Sequence, residues 1–167
     1  LTPVAKSFPS EMGTLAVSAG MQCLGGAGYC DDFPLEQYYR DIRVNAIYEG
    51  TTGIHGIDLL GRKVMMENGE AAAAFAQEIS ETVGRAMQLE PLRAMALALG
   101  DAAGGLQKAT LHLFSVASKE KPEVFLADAT LYLEYFGLVA MAWQWLLMAI
   151  AAQRALPEAT GEQENAF

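Results

Sequence analysis

Glu49 is the side chain in this sequence best suited to act as an acid or base. It stands in Ile47-Tyr48-Glu49-Gly50-Thr51-Thr52, a carboxylate held between an apolar pair and a residue with no side chain to block approach. Apolar neighbours disfavour the charged form and raise a carboxyl pKa toward the range of a general base. A plainer reading is also open, because a carboxylate just ahead of a helix is favoured by the helix dipole with no chemistry involved. Position alone does not separate the two.

Other residues could bind rather than react. Gln22 followed by Gly25-Gly26 sets an amide beside bare backbone, an arrangement that suits an adenine or a pyrophosphate and equally suits a glycine-closed helix end. Arg40-Asp41 and Arg43 could hold an anion or form structural pairs. His55 and His112 stand alone, and isolated histidines on helices are more often surface or core residues than ligands. The two cysteines, Cys23 and Cys30, form no CxxC, and no His or Cys cluster has metal-ligand spacing. A disulfide framework and a zinc site therefore have no support, and no metal site is assigned.

Helices must position these residues. Met12, Leu15, Ala16, Ala19 and Cys23 recur at helical spacing, with Ser10 as an expected N-cap and Gly25-Gly26 as the stop. Pro34 sits where the first turn of a short helix to about Asp41 would begin. Thr51 or Thr52 caps a helix whose apolar stripe is Ile54, Ile57, Leu60 and Val64, so Glu49 lies at its N-terminal edge. Asn68-Gly69 is a stop and the expected boundary between two units, residues 1–68 and 69–167. Beyond it three long helices follow: Glu70 to about Met87, Pro91 to about Lys119, and Pro122 to about Ala155. Gly100 and Gly104-Gly105 offer close contact within the second, and residues 158–167 read as a frayed tail. Short turns between these helices suggest an antiparallel bundle.

Composition agrees with an all-α protein: 52% of the 167 residues are hydrophobic, and alanine, leucine and methionine dominate over β-branched residues. The net charge is -9, and no run of Lys or Arg exceeds Arg62-Lys63. A phosphate backbone has no basic face to meet here, so nucleic acid is not expected as a partner. Leu1-Thr2-Pro3-Val4 lacks both a basic region and an apolar core for export, so a cytoplasmic location is expected. Tyr135 to Ala152 has only Gln144 as a clearly polar residue and approaches the lower limit for crossing a bilayer. It continues from a helix carrying Asp128 and Glu134, so a buried central helix or an oligomer-facing one is expected rather than a membrane span. Trp143 and Trp145 lie on different faces of it, which directs at least one toward a second surface.

The motifs occur together and in order. Gln22-Cys23-Leu24-Gly25-Gly26-Ala27-Gly28-Tyr29, then Tyr39-Arg40-Asp41-Ile42-Arg43, then Ile47-Tyr48-Glu49-Gly50-Thr51-Thr52 resembles the C-terminal helical domain of the flavin-dependent acyl-CoA dehydrogenases. The Asp58-Leu59-Leu60-Gly61-Arg62-Lys63 that follows, with the added helices, resembles the large members with an extra C-terminal helical domain. The implied fold is the last helices of the dehydrogenase C-terminal domain followed by a three-helix antiparallel accessory bundle.

The resemblance also implies chemistry. The glutamate matching Glu49 removes the α-proton of an acyl-CoA while the β-hydrogen passes to FAD, leaving a trans-2-enoyl-CoA. The N–H at that position helps polarise the thioester carbonyl. Tyr48, Glu49 and Gly50 face the substrate. Gln22, Gly25 and Gly26 match contacts to the adenosine half of an FAD held mainly by a neighbouring subunit, and Thr51 and Thr52 lie near the cofactor. An electron-transfer flavoprotein and a homo-oligomeric parent are implied as partners. Gly53 and His55 depart from the family pattern, so side-chain contacts to FAD at those positions do not carry over.

The chain has no initiator methionine and no stretch that reads as the family's β-domain, so it is expected to be a C-terminal piece of a longer enzyme. Alone it is expected to bind neither FAD nor acyl-CoA tightly, to show no turnover, and to expose apolar faces along residues 10–65. The alternatives are a helical oligomerisation module without a catalytic role and a membrane-associated protein anchored through Tyr135 to Ala152.

Overall fold

A computed structural model describes residues 1–156, and among them every regular element is a helix. The expected frayed tail lies outside the described residues. The helices are α1 (Thr2–Leu24), α2 (Gly26–Tyr29), α3 (Leu35–Asn45), α4 (Thr52–Gly61), α5 (Glu70–Met87), α6 (Arg93–Ala117), α7 (Pro122–Phe125) and α8 (Ala129–Ala155), with 3₁₀ segments at Lys63–Gly69 and Glu90–Leu92. The chain packs as two compact units. One comprises Leu1–Val64 with Pro122–Gly137, the other Met65–Lys121 with residues 138–156.

In the first unit α1 starts eight residues before the expected Ser10 cap and runs through Pro9. Proline has no N–H to continue the ladder, which is why the sequence suggests a boundary there. Ser10 is not a cap: its hydroxyl bonds back to the Lys6 carbonyl at 2.6 Å, one turn earlier. The Met12, Leu15, Ala16, Ala19 and Cys23 stripe is exposed throughout. The packed face of α1 is instead lined by glycines. A Cβ on Gly13 would lie 3.0 Å from Ile42 Cδ1, and one on Gly20 would lie 3.7 Å from Leu35, so α3 runs antiparallel along a groove that side chains would fill.

The rest of this unit's core comes from Val4, Ala46, Leu59, Leu60, Val64, Phe125, Ala129, Tyr132, Leu133 and Phe136. Full burial of a leucine such as Leu60 stabilises by about 1.5–3 kcal/mol. Leu60 and Val64 face inward as expected, but Ile54 and Ile57 are 57% and 44% exposed. Gly56 supplies the close contact in their place: a Cβ there would lie 2.7 Å from the Ala129 carbonyl oxygen.

The second unit is built on α5 and α6, which pack together, with Ile79, Thr82, Ala86, Ala96, Leu99 and Leu106 buried. The third expected helix is divided, with a turn at residues 126–128 between α7 and α8. Thr82, fully buried on α5, accepts a hydrogen bond from Trp143 Nε1 at 2.9 Å and donates to the Glu78 carbonyl at 2.8 Å, while Phe75 meets the Trp143 ring edge-on at 5.6 Å. Gly100 meets Val83 only at an ordinary 3.9 Å and Gly104 meets nothing within 4 Å, so neither mediates the close approach expected of them.

Helix α8 is not buried all round. Val139, Ala140, Leu146 and Ile150 face inward, whereas Leu138, Trp145 and Met148 are exposed. By length and composition Pro122–Ala155 is apolar enough to cross a membrane, and a third of its most apolar window is buried within the protein. The two tryptophans do point to different faces, Trp143 against α5 and Trp145 outward.

Candidate functional site

The segment carrying Glu49 is a tight connection between α3 and α4. After Asn45 the chain turns with Ile47 N–H and Tyr48 N–H both donating to the Val44 carbonyl, at 2.9 and 3.1 Å. Two left-handed residues follow, Glu49 at φ 52° and Gly50 at φ 97°. A left-handed residue costs a non-glycine side chain about 1–2 kcal/mol, so the surroundings must hold Glu49 in this state. Thr51 then returns to extended backbone and caps α4, its Oγ1 accepting from Ile54 N–H at 3.4 Å.

Helix α1 supplies two anchors for this turn. Lys6 Nζ donates to the Gly50 carbonyl at 2.6 Å and lies 5.8 Å from the centre of the Tyr48 ring. One and a half turns later, Glu11 Oε1 accepts from the Thr52 hydroxyl at 2.6 Å. On the α4 side, the His55 imidazole backs Gly50: a Cβ on Gly50 would lie 2.9 Å from Nε2, and that nitrogen is buried with no hydrogen-bond partner. Gly50 is therefore required twice over, by its φ and by the histidine behind it.

The carboxylate of Glu49 is exposed and, among the described residues, makes no hydrogen bond or ion pair. The apolar enclosure expected from Ile47 and Tyr48 is absent, since those side chains are themselves 55% and 50% exposed. Neighbours in sequence do not wrap a residue at a turn, and here they leave the carboxylate open.

At the other end of α1 an open cleft of roughly 590 Å³ is lined by Ser18, Met21, Gln22, Gly25, Gly26, Tyr29 and Tyr39. Gln22, Gly25 and Gly26 are thus brought together as their spacing suggests, and two tyrosine rings join them that the motifs contain but that the sequence reading gives no role. Gly25 takes φ 60° as it closes α1. Gly26 needs neither positive φ nor space, since a Cβ there meets nothing within 4 Å. Gly28 is the glycine pressed against α1, where a Cβ would lie 2.8 Å from the Met21 carbonyl.

The cleft and the Glu49 turn do not share residues. From Glu11 to Gln22 along α1 the rise of 1.5 Å per residue gives about 16 Å. Arg40 is paired one turn back, with Glu36 at 2.6 Å, and Asp41 accepts from Gln37 at 2.9 Å, which supports the structural reading of that motif. Arg43, His112 and both free cysteines are exposed.

Comparison with known proteins adds identity to this geometry. A family model described as acyl-CoA dehydrogenase, C-terminal domain, matches residues 1–65, and one described as acetyl-CoA dehydrogenase C-terminal like matches residues 75–167. The chain belongs to the acyl-CoA dehydrogenase family.

Similar proteins include the 3-methylmercaptopropionyl-CoA dehydrogenase of Ruegeria pomeroyi, 35% identical over 157 residues, which are 93% of this chain and 26% of that protein. The broad-specificity linear acyl-CoA dehydrogenase FadE5 of Mycobacterium tuberculosis is 30% identical over 174 positions, spanning 100% of this chain and 28% of that protein. The short-chain specific acyl-CoA dehydrogenase of Rattus norvegicus mitochondria is 43% identical over 58 residues, 35% of this chain. The chain thus spans about a quarter of the length of the two large relatives.

Membership implies FAD, and the cleft can be tested against it. An exposed amide, two tyrosine rings and a glycine with no internal reason to lack a side chain fit one wall of a nucleotide site. They do not enclose one. At the turn, Thr51 keeps its O–H free to donate because its oxygen only accepts at the cap, whereas the Thr52 hydroxyl is already turned to Glu11. The Thr52 hydroxyl is thus engaged within the chain, and only its backbone is left to meet a ligand at this turn.

Proposed function

We propose that this chain is the base-bearing C-terminal part of an FAD-dependent acyl-CoA dehydrogenase that converts an acyl-CoA thioester to a trans-2-enoyl-CoA. The observation that carries this is the Glu49 turn: a strained left-handed carboxylate, anchored on both sides yet with its own oxygens unengaged, in the segment that matches the family. Strain of this kind, held by neighbours, is found where a side chain must be presented.

In this reading the ionised Glu49 accepts the α-proton, and the N–H at the same position polarises the thioester carbonyl, which acidifies that carbon. The space a side chain on Gly50 would take is filled by His55, so the acyl chain passes Glu49 on the open side of the turn, bordered by Tyr48. FAD, when bound, would supply the acceptor for the β-hydrogen; Gln22, Gly25 and Gly26 would hold its adenosine half, and Thr51 and Thr52 would contact the cofactor near the turn. Reoxidation by an electron-transfer flavoprotein, a homo-oligomeric parent and a cytoplasmic location belong to the same proposal. The isolated 167-residue chain supplies one wall of each site and has no turnover of its own.

The test is Glu49→Gln in the full-length protein. Flavin reduction by acyl-CoA falls about 10²- to 10⁴-fold, the contribution of a general base, while FAD remains bound. Flavin reduction at the parent rate would remove Glu49 from the role of base.

A further inference from the structure

We infer that Lys6 is a positioning residue for Glu49, holding the left-handed turn that aims the carboxylate; the inference rests on Glu49 being the base. Two contacts meet at this one side chain. Its ammonium donates to the carbonyl of Gly50, the residue directly after the base, at 2.6 Å. The same nitrogen stands 5.8 Å from the centre of the Tyr48 ring, the residue directly before it, in cation–π range. Lys6 is also partly buried, on the stretch of α1 that carries the buried Val4, Ser7 and Ser10.

A backbone carbonyl pinned to a cation fixes the orientation of the Gly50–Thr51 peptide. Five residues further along α1, about 7.5 Å by helical rise, Glu11 fixes Thr52. With Tyr48 held on one side and Gly50 and Thr52 on the other, Glu49 has no slack to relax to the right-handed backbone its side chain prefers. Lys6 touches no reacting atom in this arrangement and acts only through the turn. No local motif marks Lys6, because it lies 44 residues from the carbonyl it holds.

Lys6→Met in the full-length protein keeps the length and apolar stem and removes the donor and the charge. At saturating acyl-CoA the single-turnover rate of flavin reduction, counted per bound FAD, falls about 10- to 100-fold, since displacement of a catalytic group by about 1 Å costs on that order. FAD content and substrate affinity stay within about twofold. Backbone amides of residues 48–52 exchange faster in Lys6→Met than in the parent, and Lys6→Arg, which can still donate to the Gly50 carbonyl, recovers most of the rate. Lys6→Leu, which also removes the donor and the charge, carries the same expectation should the methionine variant not fold. An unchanged rate per bound FAD together with unchanged exchange overturns the inference, and so does lowered thermal stability with an unchanged rate per bound FAD. Retained flavin reduction in Glu49→Gln, by contrast, strikes the base assignment itself.

Discussion

Gly50→Ala reads the geometry of the turn most directly. The residue sits at φ 97°, where an L side chain is disfavoured by about 1–2 kcal/mol. A Cβ there would also lie 2.9 Å from His55 Nε2, closer than real contacts allow. The imidazole end can move, so relief adds about 1 kcal/mol, the low end of the cost of overpacking. The expected loss of stability is about 2–3 kcal/mol, read as a lowered denaturant midpoint at unchanged slope. Adding His55→Ala should return only the steric part, about 1 kcal/mol, and leave the backbone part in place. In the full-length protein the variant also slows flavin reduction, because Glu49 moves with its neighbour. The control is Gly53→Ala, on the same helix start, where the nearest atom to a Cβ is Thr51 Oγ1 at 4.0 Å. It should be neutral or slightly stabilising, by at most about 1 kcal/mol. A Gly50→Ala midpoint indistinguishable from that of Gly53→Ala would refute the reasoning about both the φ and the histidine.

Two further outcomes follow from the second unit. Thr82→Val keeps the shape of a fully buried side chain but leaves Trp143 Nε1 without its acceptor, and should cost about 1–3 kcal/mol in equilibrium unfolding. The two tryptophans should differ sharply: Trp143→Ala loses the Phe75 and Thr82 contacts and about 2–4 kcal/mol, whereas Trp145→Ala, 61% exposed, should stay within about 0.5 kcal/mol of the parent.

The sequence by itself determined the all-helical class and several helix ends, because those signals are local, but not the start of α1 or the break before α8. A cap at Thr51 or Thr52, a stop at Gly25-Gly26 and the alanine-rich run from Glu70 to Met87 are written in neighbouring residues, and the structure places a cap at Thr51, a stop at Gly25 and a helix over Glu70–Met87. It also placed Gln22, Gly25 and Gly26 in one cleft, since one helix turn and its end lie together wherever the chain goes. Periodicity reports only that a helix has an apolar face, not whether a partner covers it. The Met12 to Cys23 stripe is regular yet exposed, while α3 packs on the glycine face that hydrophobicity passes over. Ile54 and Ile57 fail as core residues for the same reason, since Gly56 is the point of closest approach. What only the tertiary structure decided is the state of Glu49. Its left-handed backbone, its anchoring by Lys6 and Glu11 and the histidine behind Gly50 depend on residues brought from α1 and α4, and no pattern within Ile47 to Thr52 encodes them.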